Sequence, residues 1–170
     1  MTRKRKSWRE KLHDSKDLPK VVEIPEKMKA RVGEGTMVVP APIEVDEIMR
    51  KVPKGKLITV AEIRRFLAKK HGATIGCPLT TGIFINIAAN AAEESREAGE
   101  TEITPYWRTL KAKGELNPKF PGGVEWHRQL LEAEGHTVIR RGKKYFVADY
   151  EAHLVSEDEI LGRQEKHEMY

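Results

Sequence analysis

Apolar residues recur at helical spacing three times through the middle of the chain. Val45, Ile48, Met49 and Val52 fall at i, i+3, i+4 and i+7, with Pro42 ahead of them and Pro53 behind. That pattern predicts an amphipathic helix closed at both ends. Thr59-Val60-Ala61-Glu62 then has capping-box spacing and opens a second helix with Val60, Ile63, Phe66 and Leu67 inward. Arg64, Arg65, Lys69 and Lys70 fall mostly on its outer face. Lys69, Lys70 and His71 complement the dipole at its C-terminal end, and Gly72 stops it. A third, longer helix is predicted from Thr80-Thr81-Gly82 to Gly99. Its first half is apolar on most sides (Ile83, Phe84, Ile85, Ile87, Ala88, Ala89), as a central helix requires, and its second half, Glu93 to Glu97, is expected to face water. These three helices read as a helix-turn-helix core.

The flanks have other patterns. Ser7-Trp8-Arg9-Glu10 is another capping box, predicting a short helix with Trp8 and Leu12 on one side. Residues 19–42 hold Pro19, Pro25, Pro40 and Pro42 with Gly33 and Gly35, which predicts extended segments and turns, with short strands at 21–24 and 37–39. A short amphipathic helix follows Gly122-Gly123. Residues 137–147 alternate around Gly142 as a β-hairpin. Residues 149–167 read as a peripheral acidic helix anchored by Tyr150 and Leu154. The expected fold is mainly α: a winged helix-turn-helix, with a three-helix core and a small β-hairpin wing, an irregular N-terminal extension and a C-terminal helix. The expected division is a basic arm and extension over 1–42, the winged helix domain over 43–148, and an acidic helix or tail over 149–170.

Charge adds a partner class. The net charge is +5 over 170 residues, but residues 1–20 hold 8 Lys/Arg against 3 Asp/Glu and residues 149–170 hold 2 against 7. A basic arm, a mildly basic body and an acidic tail fit a polyanion binder, and ordinary solubilising termini account for the charge equally well. The opening Thr2-Arg3-Lys4-Arg5-Lys6 fits a nucleic-acid arm, a localisation tag or a solubiliser alike. No apolar run approaches the length needed to cross a bilayer, and the basic N-terminus lacks the apolar core of a signal peptide, so no membrane is expected. A cytoplasmic or nucleoid-associated protein is expected.

The scan for chemistry excludes most catalysis. One cysteine, Cys77, permits neither an internal disulfide nor a CxxC pair, and the six histidines show no metal-ligand spacing. Neither a nucleophile elbow, nor a P-loop, nor a dinucleotide fingerprint occurs. Cys77, between Gly76 and Pro78, reads as a packed small residue in preference to a thiolate at a helix start. No metal and no cofactor is expected.

One stretch, residues 105–135, carries a resemblance. Pro105 and Arg108, then Gly114, Gly122 and Gly123, then Leu131, Glu134 and Gly135 stand as they do in the central motif of the 6-O-alkylguanine-DNA alkyltransferases. Val52-Pro53-Lys54-Gly55-Lys56-Leu57-Ile58-Thr59 is similar to that family's Val-Pro-x-Gly-x-Val-x-Thr/Ser. The order of elements resembles its DNA-binding domain over residues 45–147; nothing in 1–42 resembles its N-terminal domain. In that family a recognition helix enters the minor groove, an arginine props the duplex open, a tyrosine rotates the damaged nucleotide out, and a cysteine accepts the alkyl group. Here Tyr106 stands at the cysteine, Trp107 at its histidine, Val60 at the rotating tyrosine, and Leu79 near the arginine. Alkyltransferase-like proteins keep the fold, replace the cysteine and bind alkylated DNA without repairing it. Tyr106-Trp107 resembles that condition, and the glutamate-rich segment 91–104 is an insertion. A phenol whose pKa is near ~10 is a poor nucleophile beside a thiolate, so the resemblance implies no enzyme and leaves Glu134 to cap the loop or satisfy a buried donor.

The sequence therefore points to a non-catalytic DNA-binding protein of the alkyltransferase-like group, linked to repair of alkylated bases, with double-stranded DNA bound weakly and largely without regard to sequence. Thr80, Thr81, Tyr106, Trp107, Arg108, Lys111, Arg140, Arg141, Lys143 and Lys144 are the expected DNA-binding residues. Two large rings at 106 and 107 are expected to close the former alkyl pocket, with Trp107 in the core. The alternative is a protein-interaction module that kept the fold and lost the DNA site, with a protein partner.

Overall fold

The computed structural model describes residues 6–162, and the chain is mainly helical. In order, the elements are α1 (Trp8–His13), β1 (Lys20–Glu23), α2 (Glu26–Val32), β2 (Thr36–Val39), α3 (Pro42–Arg50), β3 (Ile58–Thr59), α4 (Val60–His71), β4 (Ile75–Gly76), α5 (Pro78–Glu97), β5 (Thr109–Leu110), α6 (Gly123–Ala133), β6 (Val138–Arg141), β7 (Lys144–Val147) and α7 (Glu157–Leu161). The capping boxes form as their spacing dictates. The Ser7 hydroxyl accepts from the Glu10 N–H while the Glu10 carboxylate accepts from the Ser7 N–H, and Thr59 and Glu62 do the same at α4.

The described part of the N-terminal extension forms regular elements. β1 runs antiparallel to β2, from Lys20↔Val39 to Glu23↔Thr36, and β2 runs parallel to β4, so the extension is stitched to the loop ahead of α5. Between the strands lies α2, a helix absent from the sequence expectation. Pro25 precedes its first turn and Gly33, at φ 85°, ends it, so the residues read as breakers bound the helix without interrupting it. The edge strand β4 presses on α4 because position 76 is glycine: a Cβ there would meet the Arg64 carbonyl oxygen at 2.6 Å.

The main core gathers Val45 and Met49 from α3, Ile63, Phe66 and Leu67 from α4, and Ile85, Ala88 and Ala89 from α5. Leu12 of α1, Val38 of β2, and Val155 and Ile160 near the C-terminus join the same cluster, binding both flanks into one core. A second cluster, Leu57, Leu110, Leu116, Leu131 and Val147, lies under the β6–β7 hairpin, and Ile24, Met37 and Cys77 form a third beneath the extension. Cys77 is a packed small residue, as read from the sequence.

Three local expectations are corrected. The long helix begins at Pro78, not Thr80: proline is pre-organised for a first helical position, and the Thr81 hydroxyl donates back to the Cys77 carbonyl (2.6 Å) from inside the first turns. The glutamates at the end of α5 do not all face water. Both Glu94 oxygens accept backbone N–H groups at the start of α1 (Trp8 and Arg9, each 3.0 Å), and Glu93 is drawn inward. The C-terminal stretch is not one helix; Asp149 at φ 54° opens a single 3₁₀ turn, Tyr150–His153, and α7 starts afresh from a Ser156–Glu159 capping box. Its deepest anchors are Val155 and Ile160, with Tyr150 and Leu154 packed at the edge of the second cluster.

Candidate functional site

The motif stretch enters the core at Pro105 and turns once as a 3₁₀ helix, Tyr106–Arg108, before β5 pairs in parallel with β3. That turn sends consecutive side chains to different environments. Tyr106 is 0% exposed; its ring meets Trp107 and Phe120 edge-on at 5.4 and 5.3 Å. Its hydroxyl donates to Glu93 Oε2 at 2.5 Å, and the Trp126 indole N–H donates to the same oxygen at 3.1 Å. The other Glu93 oxygen accepts from Arg96 Nε and Nη2, at 2.9 and 2.6 Å. Burial raises the Glu93 pKa, but these three residues outweigh it as donors and hold the carboxyl below its ordinary value. Burial, reinforced by the carboxylate, raises the Tyr106 pKa, so the phenol stays protonated and is no nucleophile. A depression of about 330 Å³ lined by Glu93, Arg96, Pro121 and Trp126 lies nearby, and Tyr106 does not reach it.

Trp107 and Arg108 turn the other way, toward Glu134. Trp107 is half-buried between the first two clusters, and its indole N–H donates to Glu134 Oε2 at 3.0 Å. Arg108 grips the same carboxylate through Nε and Nη2 (2.9 and 2.6 Å) and donates Nη1 to the Val52 carbonyl at 2.6 Å. Both side chains of this pair are nearly buried, 13% and 8% exposed. Burial raises the Glu134 pKa, yet the Arg108 and Trp107 donors keep it below its ordinary value. The guanidinium expected to reach phosphate is thus engaged inside the protein through all three of its nitrogens. Tyr106, not Trp107, is the fully buried ring of the pair.

His127, also 0% exposed, completes the cluster: Nε2 lies 2.8 Å from the Trp107 carbonyl oxygen and so carries the donated proton, while Nδ1 has no partner among the described residues. Burial lowers its pKa from 6.5 to about 4, offset in part by the carbonyl. The unfolded chain takes up this proton below pH 6.5 and the folded chain only near pH 4. The stability His127 contributes is complete above pH 6.5 and falls as pH drops, by about 3 kcal/mol once pH 4 is passed. In NMR titration the His127 ring is expected to show a midpoint near 4; a midpoint near 6.5 would contradict the burial argument.

The remaining cations stand outside. Arg140, Arg141, Lys143 and Lys144 are exposed on the hairpin, where β6 and β7 pair from Val138↔Val147 to Arg141↔Lys144 around Gly142. Only Lys144 has a carboxylate in reach among the described residues, Glu115 at 3.9 Å; Arg140 and Arg141 lie over the rings of Tyr145 and Phe146. Lys111 is exposed on the turn that leads to Glu115, which bridges to Phe146 of the hairpin. Thr81 is buried and Thr80 keeps its hydroxyl inside, so neither offers a side-chain oxygen or donor at the surface of α5. The first turns of α5 present apolar side chains instead, Leu79 at 71% and Ile83 at 47% exposure. Of the opening basic run, residues 2–5 lie outside the described residues, and Lys6 pairs with Asp14. No described helix is long and apolar enough to cross a membrane, and no group of three potential metal-ligating side chains occurs among the described residues.

The sequence reading missed Glu93 and Trp126. Trp126 is one aromatic residue in the first turn of α6, and Glu93 lies in a run of charges, so neither carries a local signal of its contact. No protein-family model and no curated protein matches the chain. Among solved structures, the chain is similar to S. pombe Atl1, crystallised in complex with damaged DNA containing O6-carboxymethylguanine, at 16% identity and a TM-score of 0.45, over 68% of this chain and 94% of that one.

Proposed function

We propose that this protein is a non-catalytic binder of double-stranded DNA of the alkyltransferase-like kind, in which β6–β7 is the wing of a winged helix-turn-helix and supplies the phosphate contacts. The observation that carries this reading is the hairpin: four exposed cations within five residues, only one with a described carboxylate nearby. Phosphate contacts need cations that are free to approach and are not already desolvated in ion pairs. Lys111, on the adjoining turn, extends the same surface. Arg108 drops out of the interface, and Thr80 and Thr81 offer it no side-chain contact, because these side chains turn their polar groups inward. The absence of chemistry rests on Tyr106, whose protonated phenol is sealed under Glu93 and Trp126. A sealed position 106 leaves no space there for an extruded base, so normal and alkylated guanine are expected to bind alike.

The test is duplex affinity across a salt series, with and without 6-O-methylguanine. Replacing Arg140, Arg141, Lys143 and Lys144 with alanine is expected to weaken binding to unrelated sequences equally. It should also flatten the plot of log K against log salt by about one unit for each phosphate that is no longer neutralised. An unchanged slope would remove the hairpin from the interface. A clear preference for the lesion, or label transferred from it to the protein, would contradict the sealed pocket.

A further inference from the structure

Helix α4 already receives an acidic, aliphatic segment of its own chain. Glu157 of α7 pairs with Arg65 (3.7 Å) and with Lys69, while Ile160, one turn on, is 1% exposed in the main core. Next to that contact, α4 forms one wall of an open cavity of about 540 Å³, lined also by α2 and by β4 with the start of α5. Its floor is aliphatic, with Val32, Ala68, Ile75 and Pro78, and its rim carries Arg31, Arg64, Arg65 and Lys69. No acidic side chain among the described residues lines it. Arg65 and Lys69 are engaged with Glu157, but Arg31 and Arg64 have neither a carboxylate nor a hydrogen-bond acceptor among the described residues. The cavity exists because the extension is stitched to the core: without the β2–β4 pairing, α2 would not stand opposite α4.

We infer that this cavity is a docking site for an acidic peptide segment of a partner protein, with carboxylates on Arg31 and Arg64 and a Leu- or Ile-type side chain on the floor. Guanidinium groups pair with carboxylates through two parallel N–H bonds, which a flexible acidic segment can satisfy on an exposed rim. The aliphatic floor supplies the non-directional part of the affinity and sets the register. Single-stranded nucleic acid fits less well, because no aromatic ring among the described residues lines the cavity for bases to stack on. The Glu157–Ile160 contact shows the same pairing of charge and aliphatic burial on the adjacent face of the same helix. Peptide docking here does not depend on the DNA-binding reading.

The probe is a fluorescein-labelled peptide, Glu-Asp-Leu-Glu-Glu-Ile-Leu-Glu-Asp, titrated into the full chain by fluorescence polarisation. Binding is expected. It should weaken at least about tenfold when Leu and Ile become Ser, and equally when Glu and Asp become Gln and Asn. The double variant Arg31→Glu/Arg64→Glu should lose a similar factor while holding duplex DNA as before, and Ala61→Trp, which fills the mouth from an exposed position, should also lose the peptide. The hairpin variant should bind the peptide normally. Amide shifts at Val32, Ala68 and Ile75 in the unmodified protein provide a readout that needs no variant. Absence of binding, binding indifferent to these changes, or shifts confined to other residues would overturn the proposal. So would a loss of duplex affinity in the Arg31/Arg64 variant with peptide binding intact, which would assign those cations to phosphate.

Discussion

Tyr106→Ala is expected to lower the stability of the protein by about 3–5 kcal/mol, the range for emptying a large aromatic site in a packed core. The ring is wholly buried against Trp107 and Phe120, and its hydroxyl is one of the donors that keep Glu93 ionised below the surface. Removing the side chain therefore opens a cavity and leaves a partly buried carboxylate short of a donor. Tyr106→Phe separates the two effects. It keeps the ring and deletes only the hydrogen bond to a charged group, for which about 1.5–3 kcal/mol is usual; Trp126 and Arg96 remain on Glu93 and hold the loss toward the lower end. Urea denaturation of the three proteins at pH 7 measures both numbers. A Tyr106→Ala loss no larger than that of Tyr106→Phe would mean that the ring does not fill the core, and the closed position 106 would have to be abandoned.

The second large effect is expected at Arg108. Arg108→Ala strands Glu134 in a nearly buried site with only the Trp107 indole and the Gly55 N–H as donors, and breaking such a pair from one side costs about 3–5 kcal/mol. The paired replacement Arg108→Met/Glu134→Leu should lose much less than the sum of the single changes, because the stranded charge disappears with its partner. The same variants distinguish a structural arginine from a phosphate contact. In the folded fraction of Arg108→Met/Glu134→Leu the salt slope of duplex binding is expected to match that of the parent protein. A slope flattened by about one unit would show that Arg108 reaches the backbone after all.

Both predictions turn on residues whose chemistry was visible in the chain and whose use was not. The motif Pro105-Tyr106-Trp107-Arg108 suggested a DNA contact, with a guanidinium on phosphate and two rings closing a former pocket, Trp107 in the core. In the folded protein the same four residues form one 3₁₀ turn that points a phenol at α5 and an indole and a guanidinium at Glu134. A helical turn fans successive side chains around its axis, so neighbours in sequence become members of different clusters. The cations that remain exposed lie instead on β6–β7, a predicted basic patch whose geometry follows from its own residues through a tight turn at Gly142.

The parts of this protein that could be read along the chain are those whose causes lie within about one turn. Ser7 and Glu10, Thr59 and Glu62, the i, i+3, i+4 spacing of Val45, Ile48 and Met49, and the glycine of the hairpin all act over four residues or fewer. Helix α2 could not be read that way, being seven residues long and too short to display a period, nor could the parallel pair β2–β4, which joins Met37 to Ile75. Whether Glu93 faced water was equally out of reach. That depended on a tyrosine 13 residues away and a tryptophan 33 residues away arriving at the same oxygen, and a carboxylate enters a protein only where such donors repay its lost hydration. Long-range packing brought those donors together. It thereby closed position 106 and withdrew Arg108 from the surface, while the four cations of the hairpin stay exposed.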